Sequence, residues 1–509
     1  MKNKWLKLLK GFLFVVVALV TLLGLAIAFE NYRGKRAWDA CRAELAARGE
    51  QLDWPDLAPP PVPDDQNFFK TPLLAPLSDL VPEPVHRAYH EPRDSNAVAQ
   101  IGALFSSLYP AYQIQQASWR LAQFTDLAAM QTELRGETNT RNADLQALQA
   151  TPAGPPQSDL LWLLGKKSGE LEEIRAALRR PHARYGIPAA DGAMSLAPHL
   201  APLRSLARAF ATRALAAMAD GQPEAAADDV RACFQLARTF ESEPLLIATL
   251  VEIAILESAI QPLWEGLARH QWTELQLAQF ETELAKFNFV TGMARTLRFE
   301  RAHSLGMLDS WRRKRQKAPA DIGDAEAPVG LPPNRIPSGW IRLGQVYIAR
   351  MFQDFLVPVL DTNRVVVDIR LGERLAKEAE EHLKGWSPYK ILARELFPAL
   401  SPAVNRAAIA QTTVNQARLG VALERFRLAE GQFPAELREL TPRFLNTIPH
   451  DAVNGEPYRY RREAPDRFLL YSVGLNLTDD NAQVAQDKKG RAKPHAVEGD
   501  WVWRSAPAE

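Results

Sequence analysis

"VNRAAIAQTTVNQARLGVALERFRLAEG", residues 404–431, is the stretch on which the fold turns. It is the last long helical run of the 509-residue chain. Asn405, Arg406, Gln411, Asn415, Arg418, Glu424 and Arg427 carry too much polarity for a bilayer helix. Gly431 stands where helices often end on a left-handed residue. Beyond it the hydrophobic period changes. Pro434 opens a short helix, "PAELRELTP". "PYRYRR" then alternates and places Tyr458 and Tyr460 on one face. "FLLYSV" reads as a second strand and "DWVW", Asp500 to Trp503, as a third. Asp451, Asn454, Gly455, Gly474, Asn476 and Asn481 supply the turn chemistry between them.

Upstream, residues 95–400 read as a helical body. "SDLLWLLGKKSGELEEIRAALRRP" starts at Ser158, an N-cap candidate, and stops before Pro181. "LAPLRSLARAFATRALAAMADGQ" and "PEAAADDVRACFQLARTFESE" form a helical hairpin broken at Asp220-Gly221-Gln222, with Pro223 suited to the first helical position. This pair resembles a tetratricopeptide-type hairpin. No third copy recurs at a fixed period, so a helical-hairpin body without true repeats is expected. "PLLIATLVEIAILESAIQPLWEGLARHQ" is apolar on most sides, which predicts a buried central helix. Thr273 opens the next helix with capping-box spacing. A polar, proline-bearing loop separates Gln316 from Trp340, after which helices resume.

At the other end, "GFLFVVVALVTLLGLAIAF" covers Gly11 to Phe29 without a charge. At about 1.5 Å per residue it spans roughly 28 Å, one hydrocarbon core. Its 13 Val, Leu, Ile and Phe residues favour insertion by about 4–8 kcal/mol before costs. Lys2, Lys4, Lys7 and Lys10 precede it; Arg33, Lys35 and Arg36 follow it beside Glu30. The charge balance places residues 1–10 in the cytoplasm as a basic tail, 11–29 across the inner membrane, and the bulk in the periplasm. A cleaved signal peptide is the alternative, since Ala26-Ile27-Ala28 has the form of a cleavage site. Residues 30–94 read as a juxtamembrane helix, with Ala37, Trp38, Cys41 and Leu45 on one face, followed by a stiff spacer, "WPDLAPPPVPDD".

Composition narrows the function. There are 61 basic and 60 acidic residues, a net charge of +1, so no global field points to nucleic acid. Cys41 and Cys233 are the only cysteines, too few for a disulfide framework or a zinc site. They read as two unpaired thiols, with a mutual disulfide as the alternative. No Walker loop, dinucleotide fingerprint, G-x-S-x-G or H-E-x-x-H occurs. The remaining candidates are His86 and His90 at i, i+4 beside Glu91, Glu300 with His303, and the basic run Trp311 to Lys317. Prolines around His86 break the helix that a metal pair needs. The Glu-x-x-His motif lacks the second copy of di-iron bundles. The basic run reads as a helix terminus or an anionic-lipid contact.

The order of elements after residue 404 resembles the soluble part of type II secretion major pseudopilins. The motifs are a long helix, Gly431-x-Phe433-Pro434, Leu437-x-x-Leu440, Pro449-x-Asp451, Gly455-x-Pro457-Tyr458-x-Tyr460, Tyr471-Ser472-x-Gly474, and an Asp-rich loop before a closing strand. The resemblance covers about one hundred residues, 401–509. It implies a small α+β pilin-like domain with a short antiparallel sheet on a mainly α chain. It also implies a calcium loop, and Asp479 and Asp480 match that loop. A solvated turn with Asx hydrogen bonds is the alternative. A pseudopilin has its glutamate near the start of the membrane helix. Here Glu30 follows the apolar run, and about 370 residues part that run from the pilin-like helix. The expectation is therefore a pilin-like fold in a single-pass bacterial envelope protein, not a pilus subunit. Its activity is read as interaction with a protein partner, with inner-membrane lipid around the anchor and no nucleic acid. An enzyme with its site in the helical body is the alternative, and a deep pocket lined by converging carboxylates and His303 or His270 would favour it.

Overall fold

A computed structural model describes residues 2–82, 90–106, 118–136, 142–185, 186, 197–317, 336–385 and 387–506. The chain is mainly helical, with small antiparallel sheets. Helix α1, Lys2–Ala47, is one uninterrupted rod of 46 residues that joins the apolar run to the juxtamembrane helix. Nothing in it breaks a helix until Gly49, whose φ is +79°. The apolar half is exposed. The other half packs on the body through Trp38, Cys41 and Leu45, the face predicted from spacing.

The proline-rich stretch that follows lies along the body. Trp54 starts a single helical turn with Pro55 in its first positions, and its ring meets Phe299 edge-on at 4.4 Å. Phe68 and Phe69 are fully buried. Strands β1, Leu80–Pro82, and β2, His90–Pro92, pair antiparallel. Then come α2 (Ser95–Ser106), α3 (Leu127–Gly136), α4 (Ala143–Gln149), α5 (Pro156–Gly165) and α6 (Ser168–Ala177). The expected single helix from Ser158 is thus two. Pro155 holds the N-cap position, and the chain breaks at Lys166-Lys167.

The hairpin α7 (Leu200–Ala219) and α8 (Pro223–Arg238) forms as read, with Pro223 at its start. Ala207, Ala209, Ala214, Ala216, Ala226 and Ala237 are buried, which lets the backbones approach closely. Helix α9, Leu246–Ala268, is long and apolar enough for a membrane but more than half buried, a core helix. Helix α10, Glu274–Leu284, carries the predicted capping box: Thr273 and Gln276 exchange backbone and side-chain bonds. Helices α11 (Phe289–Lys317) and α12 (Ser338–Arg350) follow, then the hairpin β3 (Leu360–Asp361) and β4 (Val366–Val367) and helix α13 (Ile369–Leu383).

Helix α14, Ile391–Glu430, runs for 40 residues straight through Pro398 and Pro402. Its last two thirds, from Val404 onward, carry the opening sequence, and the helix ends on Gly431 at φ +78°. The tail has no separate start: its helix begins inside the body and passes residue 401. Strands β5 (Arg459–Ala464), β6 (Arg467–Ser472) and β7 (Trp501–Arg504) form an antiparallel sheet in that order. The sheet is clamped to the helices. Trp264 Nε1 donates to Arg504 O at 2.8 Å. Gln416 Nε2 donates to Trp501 O at 2.5 Å, and Phe433 meets Phe468 edge-on at 4.8 Å.

Candidate functional site

The Asp-rich loop joins β6 to β7. Its backbone is tight: Leu477, Asn481 and Ala482 all have positive φ, as do Gly474 and Gly499. Asp479 accepts from the Tyr471 hydroxyl at 3.1 Å and from Asn481 N at 3.0 Å. Asp480 accepts from Asn476 Nδ2 and Gly499 N, both at 2.9 Å. A third carboxylate, Asp500, accepts from Ala482 N at 2.7 Å and from Asp480 N at 3.3 Å. Burial pushes the Asp500 carboxyl up to about 6, and the charges of Asp479 and Asp480 add to the rise. Sequence reading singled out the first two carboxylates and missed the third, which arrives from the start of β7. Among the described residues no group of three or more His, Cys, Asp and Glu side chains is arranged to hold a metal. The loop's carboxylates bond to its own donors.

The other sequence candidates are scattered. His86 lies outside the described residues. His90 sits on strand β2 rather than on a helix, so the i, i+4 geometry of a metal pair is lost. Glu300 accepts from Leu246 N at 2.7 Å and so caps the start of α9. Burial lowers the pKa of His303, as befits a neutral ring packed on a helix. His270 pairs with Glu424 at 2.9 Å. Cys41 and Cys233 are both free and buried.

A larger feature escaped the sequence reading. A cavity of about 740 Å³ opens between Leu57–Pro60, the chain from Leu178 to Arg184, the end of α8, the end of α10 and Arg295 of α11. Asn67, almost fully buried, holds the lining residue Arg184 through two backbone bonds. Its Oδ1 accepts from Arg184 N at 2.9 Å, and its Nδ2 donates to Arg184 O at 2.9 Å. Phe68 N donates to His182 O at 2.8 Å, completing a short parallel bridge. Six permanent cations line the cavity: Arg179, Arg180, Arg184, Arg238, Lys286 and Arg295. Two carboxylates face them. Glu241 lies 3.3 Å from Arg238, and Glu283 lies 2.9 Å from Lys286.

The other four guanidinium groups bond to no carboxylate among the described residues. Arg180 donates to Asn67 O at 2.7 Å and Asp64 O at 3.1 Å. Arg184 donates to Ser242 O at 2.9 Å, and Arg295 donates to Glu241 O. Burial pushes the Arg184 guanidinium below its ordinary value, and the like charge of Arg295 lowers it further. The Nε of Arg184 is buried without a partner among the described residues. The run "RRPHAR", Arg179–Arg184, was the available signal. Arg295 lies over a hundred residues away in sequence and could not be attached to it. Neither His270 nor His303 lines this cavity.

No family model matches the chain, and no curated protein and no solved structure matches it.

Proposed function

We propose that this chain is a membrane-anchored interaction protein whose body is held at a fixed standoff from the bilayer by helix α1. The observation that carries this reading is the two-part character of α1. Its apolar half is exposed and long enough to cross a bilayer. Its other half is locked to the body. Asn31 Oδ1 accepts from Gly339 N at 2.7 Å and Ser338 Oγ at 2.9 Å, and Glu44 pairs with Arg350. Glu50, just past the helix, pairs with Arg301 at 2.6 Å and Arg298 at 3.2 Å. An exposed apolar rod of this size has no favourable environment in water.

In this arrangement the N-terminus lies in the cytoplasm and the body in the periplasm of a bacterial envelope. The tail from residue 401 is taken as a pseudopilin-like module that docks a protein partner, with calcium held through Asp479 and Asp480. The helix followed by a three-stranded antiparallel sheet supports that resemblance. The match of Asp479 and Asp480 to the family's Asp-rich loop is what supports a cation there.

One observation favours the opposite orientation. Helices α1 and α12 run parallel, Asn31 against Gly339 and Glu44 against Arg350. Helix α11 runs back along α12, since Arg301 meets Gln353 and Leu305 meets Gln345. A Cβ on Gly344 would touch Leu308. Nine residues beyond Leu308, about 13 Å of helix, bring the end of α11 to the level where the apolar run stops. That end carries the sequence "RRKRQK". Basic residues on the body side of a span favour a cytoplasmic body.

Alkaline-carbonate extraction and protease protection test both points. Retention in the membrane pellet is expected, with the body digested only from the periplasmic face of spheroplasts. Release into the soluble fraction refutes the anchor. Protection in spheroplasts reverses the orientation.

A further inference from the structure

We propose that the arginine-lined cavity is a binding site for a small organic polyanion, a solute bearing at least two phosphate or carboxylate groups. Six cations face two carboxylates in one cavity. Arg179, Arg180 and Arg184 have no carboxylate partner among the described residues, and Arg295 acts on Glu252, outside the cavity lining, through charge without a bond. Arg295 sits close enough to Arg184 to disfavour the charge of Arg184. Like charges left together in a folded protein are stabilised when an anion enters between them.

Capping of the α8 end is the plainer role for these side chains, because Arg184 and Arg295 do bond carbonyls of Ser242 and Glu241. That role uses one donor of each guanidinium, which has five. It gives no account of Arg179, which is exposed and caps nothing among the described residues. The guanidinium fork matches a planar carboxylate or a phosphate edge through two parallel hydrogen bonds. Size sets the rest of the ligand. A cavity of about 740 Å³ is far larger than one phosphate and fits an organic body. Leu57, Pro59, Pro60 and Leu178 give that body an apolar wall.

Position chooses between a dissolved ligand and a lipid headgroup, and this step rests on the anchor reading. Helix α1 continues 18 residues past Phe29, about 27 Å. Glu50 follows, and it meets Arg298 and Arg301 there. Helix α11 runs toward the membrane, so Arg295 lies on the far side of that level. Headgroups at the end of the apolar run are too distant, and the ligand comes from solution.

The test is calorimetric titration of the full chain in zwitterionic lipid nanodiscs, with inorganic pyrophosphate and with citrate as probes. Saturable binding is expected, weakening as salt rises. Arg179→Glu, on an exposed side chain, is expected to leave the melting temperature of the ligand-free protein unchanged. It should weaken pyrophosphate binding by about ten- to a hundredfold, the range for one charged hydrogen bond. Arg295→Gln should weaken it to a similar extent. Failure of both probes to bind the unaltered chain overturns the site. So does equal affinity in the unaltered chain and both variants. Repeating the titration with anionic phosphatidylglycerol in the nanodisc separates the sources: unchanged affinity supports a dissolved ligand, and competition by the lipid overturns that assignment. The cavity is read whether or not α1 crosses a bilayer, so a negative titration leaves the anchor reading standing.

Discussion

Gly34 of α1 rests directly on the backbone of Gly339 at the start of α12. A Cβ on either residue would overlap the other helix's main chain, Gly339 against Gly34 and Glu30 against Gly339. Two helices reach this separation only where both lack a side chain. The contact sits one turn beyond the apolar run, so it fixes where the rod leaves the body.

Gly34→Leu should therefore force α1 and α12 apart. Overpacking of this kind costs about 1–3 kcal/mol, and more where backbone must move. Thermal melting should fall, and trypsin should cut first near Arg42 and Arg48. A variant that melts like the unaltered chain would show that the close approach has no energetic weight.

Removing residues 1–27 should have the opposite result. Among the described residues of that segment none is buried. The shortened chain should be soluble without detergent and melt within about 2 °C of the full chain, as expected when only exposed groups are lost. Removal through residue 47 should instead abolish cooperative melting, because Cys41, Leu45 and the Glu44–Arg350 pair go with it.

Glu50 is the counter-ion of Arg301, a fully buried guanidinium. Glu50→Ala should cost about 3–5 kcal/mol, the range for stranding a buried charge. Glu50→Ala with Arg301→Met should recover much of it. Burial alone would raise the Glu50 carboxyl, but Arg301 and Arg298 outweigh it and hold the group below its ordinary 4.5. A depressed carboxyl stabilises the fold above its unfolded value and loses that contribution as pH falls through the folded value. Denaturant curves of the unaltered chain and the Glu50 variant should thus differ most at neutral pH and converge in acid.

The loop at Asp479 and Asp480 makes its own prediction. Millimolar calcium should raise the melting temperature, and Asp479→Ala or Asp480→Ala should remove the rise. Burial, with the charges of Asp479 and Asp480, pushes the Asp500 carboxyl up to about 6. A cation favours the ionised form, so the calcium effect should fade as pH drops through that value. An identical melt in calcium and in chelator at neutral pH would end the calcium reading.

Local chemistry was legible in the sequence, and distant pairing was not. Pro223, the Thr273–Gln276 box, Gly431 and the three strands each announce themselves within a few residues. A proline usually ends a helix, yet Pro398 and Pro402 lie inside α14. Here α14 continues through both, so the tail's helix starts inside the body. Asn67 bonding Arg184, Glu50 bonding Arg301 and Arg295 joining Arg184 all link positions more than a hundred residues apart. No periodicity records such contacts. The charge-rich cavity depends wholly on them, which is why only its "RRPHAR" edge was visible in the chain.

The unbroken rod of α1 also has a mechanical consequence. No hinge separates its exposed apolar half from the half fixed to the body, so on the anchor reading the whole molecule follows the tilt of its root. A change in bilayer thickness that leans the rod by about 10° would swing its Ala47 end sideways by about 5 Å. Membrane strain would then steer the cavity and the sheet together, as a mast carries everything fastened to it.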